Sequence, residues 1–116
     1  MNKITKIVLI TCLFLGVSWS RILWVNEQYR YIQDAIDNSS DGDTVSVRNG
    51  TVEEPTVWPE NINFLGQNIL VVNRDFLGGD NNPATCIIDG QQKGSVVTFN
   101  SGETRDAILK GFTIRT

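Results

Sequence analysis

The stretch Tyr31-Ile-Gln-Asp-Ala-Ile-Asp-Asn-Ser-Ser-Asp-Gly-Asp-Thr-Val-Ser-Val-Arg-Asn-Gly-Thr51 changes its hydrophobic period once, and that change sets how the chain is built. Ile32, Ala35 and Ile36 follow the i, i+3, i+4 spacing of a helical stripe, with Gln33, Asp34 and Asp37 off it. The spacing predicts a short helix over 29–38. Ser39-Ser40-Asp41-Gly42 ends it, because Gly42 accepts backbone angles that other residues resist. A helix this short is unstable alone in water and must pack on a partner. Thr44-Val45-Ser46-Val47 then alternates as a strand, and Asn49-Gly50 marks a turn, since both residues tolerate positive φ.

The same short-strand rhythm extends outward. Ile22-Leu-Trp-Val25 reads as a strand before the helix. Further strands are expected at 61–64, 69–73, 86–89, 95–99 and 107–114, each punctuated by glycine-bearing corners. Many short strands with such corners predict a sandwich, a barrel or a solenoid. Two stretches break the rhythm and read as loops: 53–60, with Trp58 between Pro55 and Pro59, and 74–84, with Gly78-Gly79-Asp80-Asn81-Asn82-Pro83. Loops on a rigid scaffold often carry function.

The first twenty residues stand apart. Lys3 and Lys6 precede an apolar run over 7–17, and Ser18 and Ser20 put small side chains before Arg21. That order predicts a secretory signal peptide and a secreted or cell-surface product, with the membrane met only during export. An uncleaved N-terminal anchor is the alternative. Cys12 lies inside the apolar run rather than closing it, which argues against lipid attachment. From Arg21 onward the chain carries 8 basic and 13 acidic residues. Without a basic cluster it is a poor partner for nucleic acid. Cys86 is then the one remaining thiol, set in the apolar run Thr85-Cys86-Ile87-Ile88, and reads as a buried structural residue. The chain has no histidine, which removes Ser-His-Asp and Cys-His catalysis and the common zinc sites within these residues.

In their order, these phrases resemble the opening of right-handed parallel β-helix proteins of the pectin-lyase-like superfamily. Ile32-Gln-Asp-Ala-Ile-Asp37, Asp41-Gly-Asp-Thr-Val-Ser-Val47 and Asn49-Gly-Thr51 resemble its first phrase, with Val52 where tyrosine is usual. Asn61-Ile-Asn-Phe-Leu-Gly-Gln-Asn-Ile-Leu-Val71 resembles the next coil, and Thr85–Gly90, 94–99 and 108–114 resemble later ones. The resemblance implies an all-β fold: the N-terminal portion of a parallel β-helix solenoid over 21–116, with a short capping helix. It implies that this portion is incomplete and continues into downstream coils of a longer chain. By the same resemblance the chain is a non-catalytic segment of a polysaccharide-associated or scaffold protein. The alternative is the start of a polysaccharide lyase or hydrolase whose active site lies downstream of residue 116. The family's catalytic aspartates, arginines and calcium ligands have no residue-by-residue match here, so no catalytic residue is assigned.

Several residues invite a sharper reading. Asp41 and Asp43 flank Gly42, and Asp80, Asn81 and Asn82 form an oxygen-rich loop; both suit calcium as a cofactor. The alternative for each is a turn whose side chains satisfy backbone donors. Trp58 and Tyr31 offer rings for stacking on a sugar, against a packing role. Glu53, Glu54 and Glu60 could pair as acid and base in sugar chemistry, but no spacing fixes their separation. Asn38-Ser39-Ser40 and Asn49-Gly50-Thr51 match the N-glycosylation pattern.

Overall fold

Alternating burial shows which side of each strand faces inward. In a computed structural model, which describes residues 19–79 and 81–116, the first strand β1 (Ile22–Val25) buries Leu23 and Val25 and exposes Ile22 and Trp24. Helix α1 (Ile32–Asp37) turns Ile32, Ala35 and Ile36 fully inward, as their spacing predicts. It is shorter than the expected 29–38, because Tyr29 is drawn into a parallel bridge with Val25. Strand β2 (Thr44–Val47) follows, then β3 (Thr56–Trp58), β4 (Ile62–Asn63) and β5 (Leu70–Asn73). A one-turn helix α2 (Asp75–Gly78) and a 3-10 turn (Pro83–Thr85) lead into β6 (Cys86–Asp89). The last strands are β7 (Val97–Thr98), β8 (Ile108–Lys110) and β9 (Thr113–Arg115).

All strand pairs are parallel, and they fall into three separate sheets. The first sheet runs β1-β2-β5-β8, the second β3-β6-β9 and the third β4-β7. Parallel register stacks like on like across the first sheet: Leu23 on Val45, Val45 on Val71, and Val71 on Leu109. The second sheet stacks Trp58 on Ile88 and Ile88 on Ile114, and the third stacks Ile62 on Val97. These columns, with Phe64, Ile69 and the α1 stripe, make one core. Burying each such side chain contributes about 1.5–3 kcal/mol relative to exposure.

This architecture corrects the expectation of an all-β, incomplete right-handed β-helix. The domain is a small compact α/β unit, with helix in 13% and strand in 31% of its residues, and it is not an evident solenoid. The physical reason lies in the two stretches read as loops. Residues 53–60 supply β3, and residues 74–84 supply α2 and the 3-10 turn, so helical and extended segments alternate where plain corners were expected. The expected 107–114 strand is likewise two strands, broken at Gly111. There φ is +89° and a Cβ would lie 2.6 Å from the Phe76 ring, so only glycine fits.

The Asn49-Gly50 turn is also corrected. Neither residue takes a positive φ. Glycine is required at position 50 because a Cβ would press into the backbone at Glu54 and Thr56. Gly42, by contrast, does adopt a positive φ, of 90°.

Candidate functional site

The residues singled out from sequence scatter over the molecule. Trp58 is buried, only 7% exposed, and its Nε1 donates to the Arg48 carbonyl at 3.1 Å. Its ring belongs to the core column over Ile88 and presents no stacking face to solvent. Tyr31 is exposed, with the Arg30 guanidinium 5.5 Å from its ring centroid. Asp80 lies outside the described residues. Asn81 and Asn82 are exposed, and Asn82 Oδ1 accepts the Ala84 N–H at 3.0 Å, capping the 3-10 turn. The signal-peptide reading falls almost wholly on residues outside those described.

The aspartates flanking Gly42 are both backbone acceptors. Asp41 Oδ1 takes the Asn68 N–H at 2.9 Å. Asp43 is buried, and its carboxylate gathers the N–H of Arg21 (2.9 Å), the N–H of Ser40 (2.9 Å) and the Arg21 guanidinium (3.2 Å). Burial pushes the Asp43 carboxyl upward, but the Ser40 and Arg21 donors outweigh it and hold the group below its ordinary value. With Asn68 and Asp106, these two aspartates line a surface groove of about 310 Å³. A second groove, of about 430 Å³, is lined by residues 50–53 together with Asp75, Asn82 and Thr85. Among the described residues no three His, Cys, Asp or Glu side chains come close enough to share a metal ion.

Glu53, Glu54 and Glu60 do different work. Glu60 sits at the start of α1, where Oε2 accepts the Ile32 N–H at 2.8 Å and Oε1 the Gln33 N–H at 3.0 Å. Burial raises its carboxyl above the ordinary value despite those two donors. Glu53 borders the second groove, and Glu54 is exposed. Cys86 is fully buried, its thiol is pushed up to about 12 by burial, and its Sγ lies 3.5 Å from the Arg48 carbonyl. Such a thiol is chemically inert at neutral pH.

The feature that sets this domain apart is the contrast between its two ends. At the first-sheet edge formed by β1, the peptide groups of Trp24 point away from β2 and are already used. Trp24 O accepts from the N–H groups of Gln28 (2.9 Å) and Tyr29 (3.0 Å), and Trp24 N–H donates to Gln28 Oε1 at 3.2 Å. Helix α1 packs against β1, β2 and β4 beside it. This end is sealed.

The opposite end is open. β7, β8 and β9 are each the last strand of their sheet. Ile108 N–H donates to Ile69 O, Phe64 N–H to Thr98 O, and Gly90 N–H to Arg115 O. Successive residues of a strand direct their peptide groups to opposite sides. The peptide groups of Val97, Leu109 and Ile114 therefore face away from the sheets. Their side chains top the three core columns. Leu109 and Val97 are only partly covered, Ile114 is 42% exposed, and Phe99 is 46% exposed although its centroid is 4.3 Å from Phe64.

Sequence reading did not find the Glu60 cap or the cluster around Arg74. Both depend on residues brought together by parallel pairing across long separations, and no local pattern signals them. Comparison with protein-family models, curated proteins and solved structures gives no match.

Proposed function

We propose that this chain is a non-catalytic scaffold segment of an exported protein, and that its open end face receives further strands of polypeptide. One observation carries the reading: in each core column burial is complete at the inner rungs and incomplete at the last, where the backbone also lacks a neighbour. Unpaired parallel edges over apolar side chains favour strand addition. The first groove favours catalysis less, because two of its acids, Asp41 and Asp43, are committed to the chain's own backbone. A sugar-stacking role draws support only from Tyr31, since Trp58 is in the core.

Hydrogen exchange of the full chain, read by mass spectrometry, tests this. The expected result is slow exchange in β1, β2 and β5 and fast exchange at Val97, Leu109 and Ile114. Equal protection of β8 and β9 with β2 in the dilute monomer would overturn the reading, because those edges would then need no partner.

A further inference from the structure

Asn49 is the one asparagine in the chain that glycine follows. In such a pair the glycine amide nitrogen reaches the asparagine Cγ with no Cβ in the way. The N–Cγ bond forms, the Cγ–Nδ2 bond breaks, and ammonia leaves with the amide proton of the glycine. Water then opens the resulting succinimide at either carbonyl, giving aspartate or isoaspartate. We infer that the fold keeps Asn49-Gly50 as a latent deamidation site, shut while its turn is docked on Thr85 and unable to reclose once it has reacted. Packing fixes glycine at position 50, since a Cβ there would press on Glu54 O and lie 2.9 Å from Thr56 N. The residue that the packing requires is therefore also the one that leaves the nitrogen unhindered.

Three contacts shut the site. The attacking nitrogen is engaged, because Gly50 N–H donates to Thr85 O at 2.9 Å. The leaving amide is engaged, because Asn49 Nδ2 donates to Gly50 O at 2.8 Å. The peptide entering Asn49 is pinned, because Arg48 O accepts Trp58 Nε1 at 3.1 Å. Thr85 is a firm anchor: it is buried, its Oγ1 donates to Asn82 O at 2.9 Å, and the same oxygen accepts Asn73 Nδ2 at 3.1 Å. The nitrogen is freed when residues 49–51 lift from the 3-10 turn (Pro83–Thr85), which is a local opening and not an unfolding of the core. Reaction changes what must dock again. A carboxylate at position 49 has no proton to donate to Gly50 O. Isoaspartate adds a methylene to the main chain beside a glycine that has no room for a Cβ. Each product therefore holds the turn away from Thr85.

The test incubates the full chain at mildly alkaline pH, with and without urea, and follows residue 49 by peptide mapping for the mass gain of deamidation. The reaction at Asn49 is expected to be at least about ten-fold slower in the folded chain, because it waits on the opening of the turn. Hydrogen exchange on the same sample is expected to be faster at Gly50 than at Val45 and Val47, the amides of the central strand. Thr85→Val, which removes both Oγ1 bonds, is expected to speed the reaction at Asn49 but not at the exposed Asn38, with Val45 and Val47 still protected. The purified deamidated chain, back in buffer without urea, is expected to exchange fast at position 50. Equal rates with and without urea overturn the inference, because docking would then give no protection. A rate that follows exchange at Val45 and Val47 overturns the local opening. An unchanged rate in Thr85→Val overturns the role given to Thr85; where that variant loses protection at Val45 and Val47, the wild-type comparison decides. Slow exchange regained at position 50 after deamidation overturns the failure to reclose.

Discussion

Arg74 holds Glu27 with both arms of its guanidinium, Nη1 to Oε2 at 2.7 Å and Nη2 to Oε1 at 2.9 Å, across 47 residues of sequence. The same group lies 5.0 Å from the Trp24 ring centroid and donates to Ser46 Oγ, Val25 O and Ser46 O at 3.0–3.2 Å. One side chain on the end of β5 therefore ties together β1 and β2. Arg74→Ala is expected to cost about 2 kcal/mol, measured by urea unfolding, because two backbone carbonyls lose a charged donor. Arg74→Lys should recover only part of it, since an ammonium lacks the planar fork.

This pairing also sets a pH dependence. The Arg74 guanidinium holds the Glu27 carboxyl below its ordinary value. The stabilisation is fully present above the ordinary carboxylate range and is lost as pH falls through the lowered value. Thermal midpoints measured downward from neutral pH should drop in wild type, and the drop should be shallower in Glu27→Gln.

Glu60 behaves in the opposite sense. Its folded-state carboxyl is raised, chiefly by burial, so its protonated form is favoured in the fold. That contribution is present below the ordinary glutamate value and fades as pH rises through the raised one. Glu60→Gln should remove this falling limb from the stability profile. Glu60→Ala should cost about 1–2 kcal/mol, the usual loss when the first helical N–H groups lose their acceptor. A neutral effect of alanine would show that water replaces the cap.

Asn73 is fully buried and joins three segments. Its Nδ2 donates to Gly111 O at 2.8 Å and Thr85 Oγ1 at 3.1 Å, and its Oδ1 accepts the Asp75 N–H at 3.1 Å. Asn73→Asp removes both donations and buries a charge against a carbonyl. A loss of at least about 2–3 kcal/mol is expected in denaturant melts, larger than for Asn73→Ser.

The stacked pair Phe64 and Phe99 measures how cover declines along a column. Phe64→Ala is expected to cost about 3–5 kcal/mol, as for a fully buried ring. Phe99→Ala should cost no more than about 1.5 kcal/mol, because its outer face is already in water. Equal costs would mean that Phe99 is covered in solution.

What the sequence made legible is local. The strands at Ile22–Val25, Thr44–Val47 and Cys86–Asp89 fall where alternation and glycine corners put them, and the α1 stripe is buried as its period requires. What stayed hidden is the layering. Nothing in Pro55-Thr-Val-Trp-Pro59 announces a strand, because prolines at both ends imitate a loop while Trp58 packs against Ile88 from the neighbouring rung. Arg74-Asp-Phe-Leu-Gly78 reads as a turn until Phe76 is seen against Gly111. The all-β expectation failed on those two stretches. Sequence alone also does not show direction: the Asp43 carboxylate is turned to the backbone of Arg21 and Ser40, and Trp58 is turned into the core.

The seal over β1 has a consequence for biosynthesis. The segment that closes the Trp24 edge, residues 26–29, follows β1 immediately in the chain and leaves the ribosome just after it. β2 then docks on a strand whose Trp24 peptide groups are already occupied on the other side, and β5 and β8 follow in sequence order. Since N-terminal segments fold first during synthesis, the nucleus has a single growing front. Each strand is laid down on a finished template, and the unshielded surface travels with the newest residues instead of waiting at the leading end.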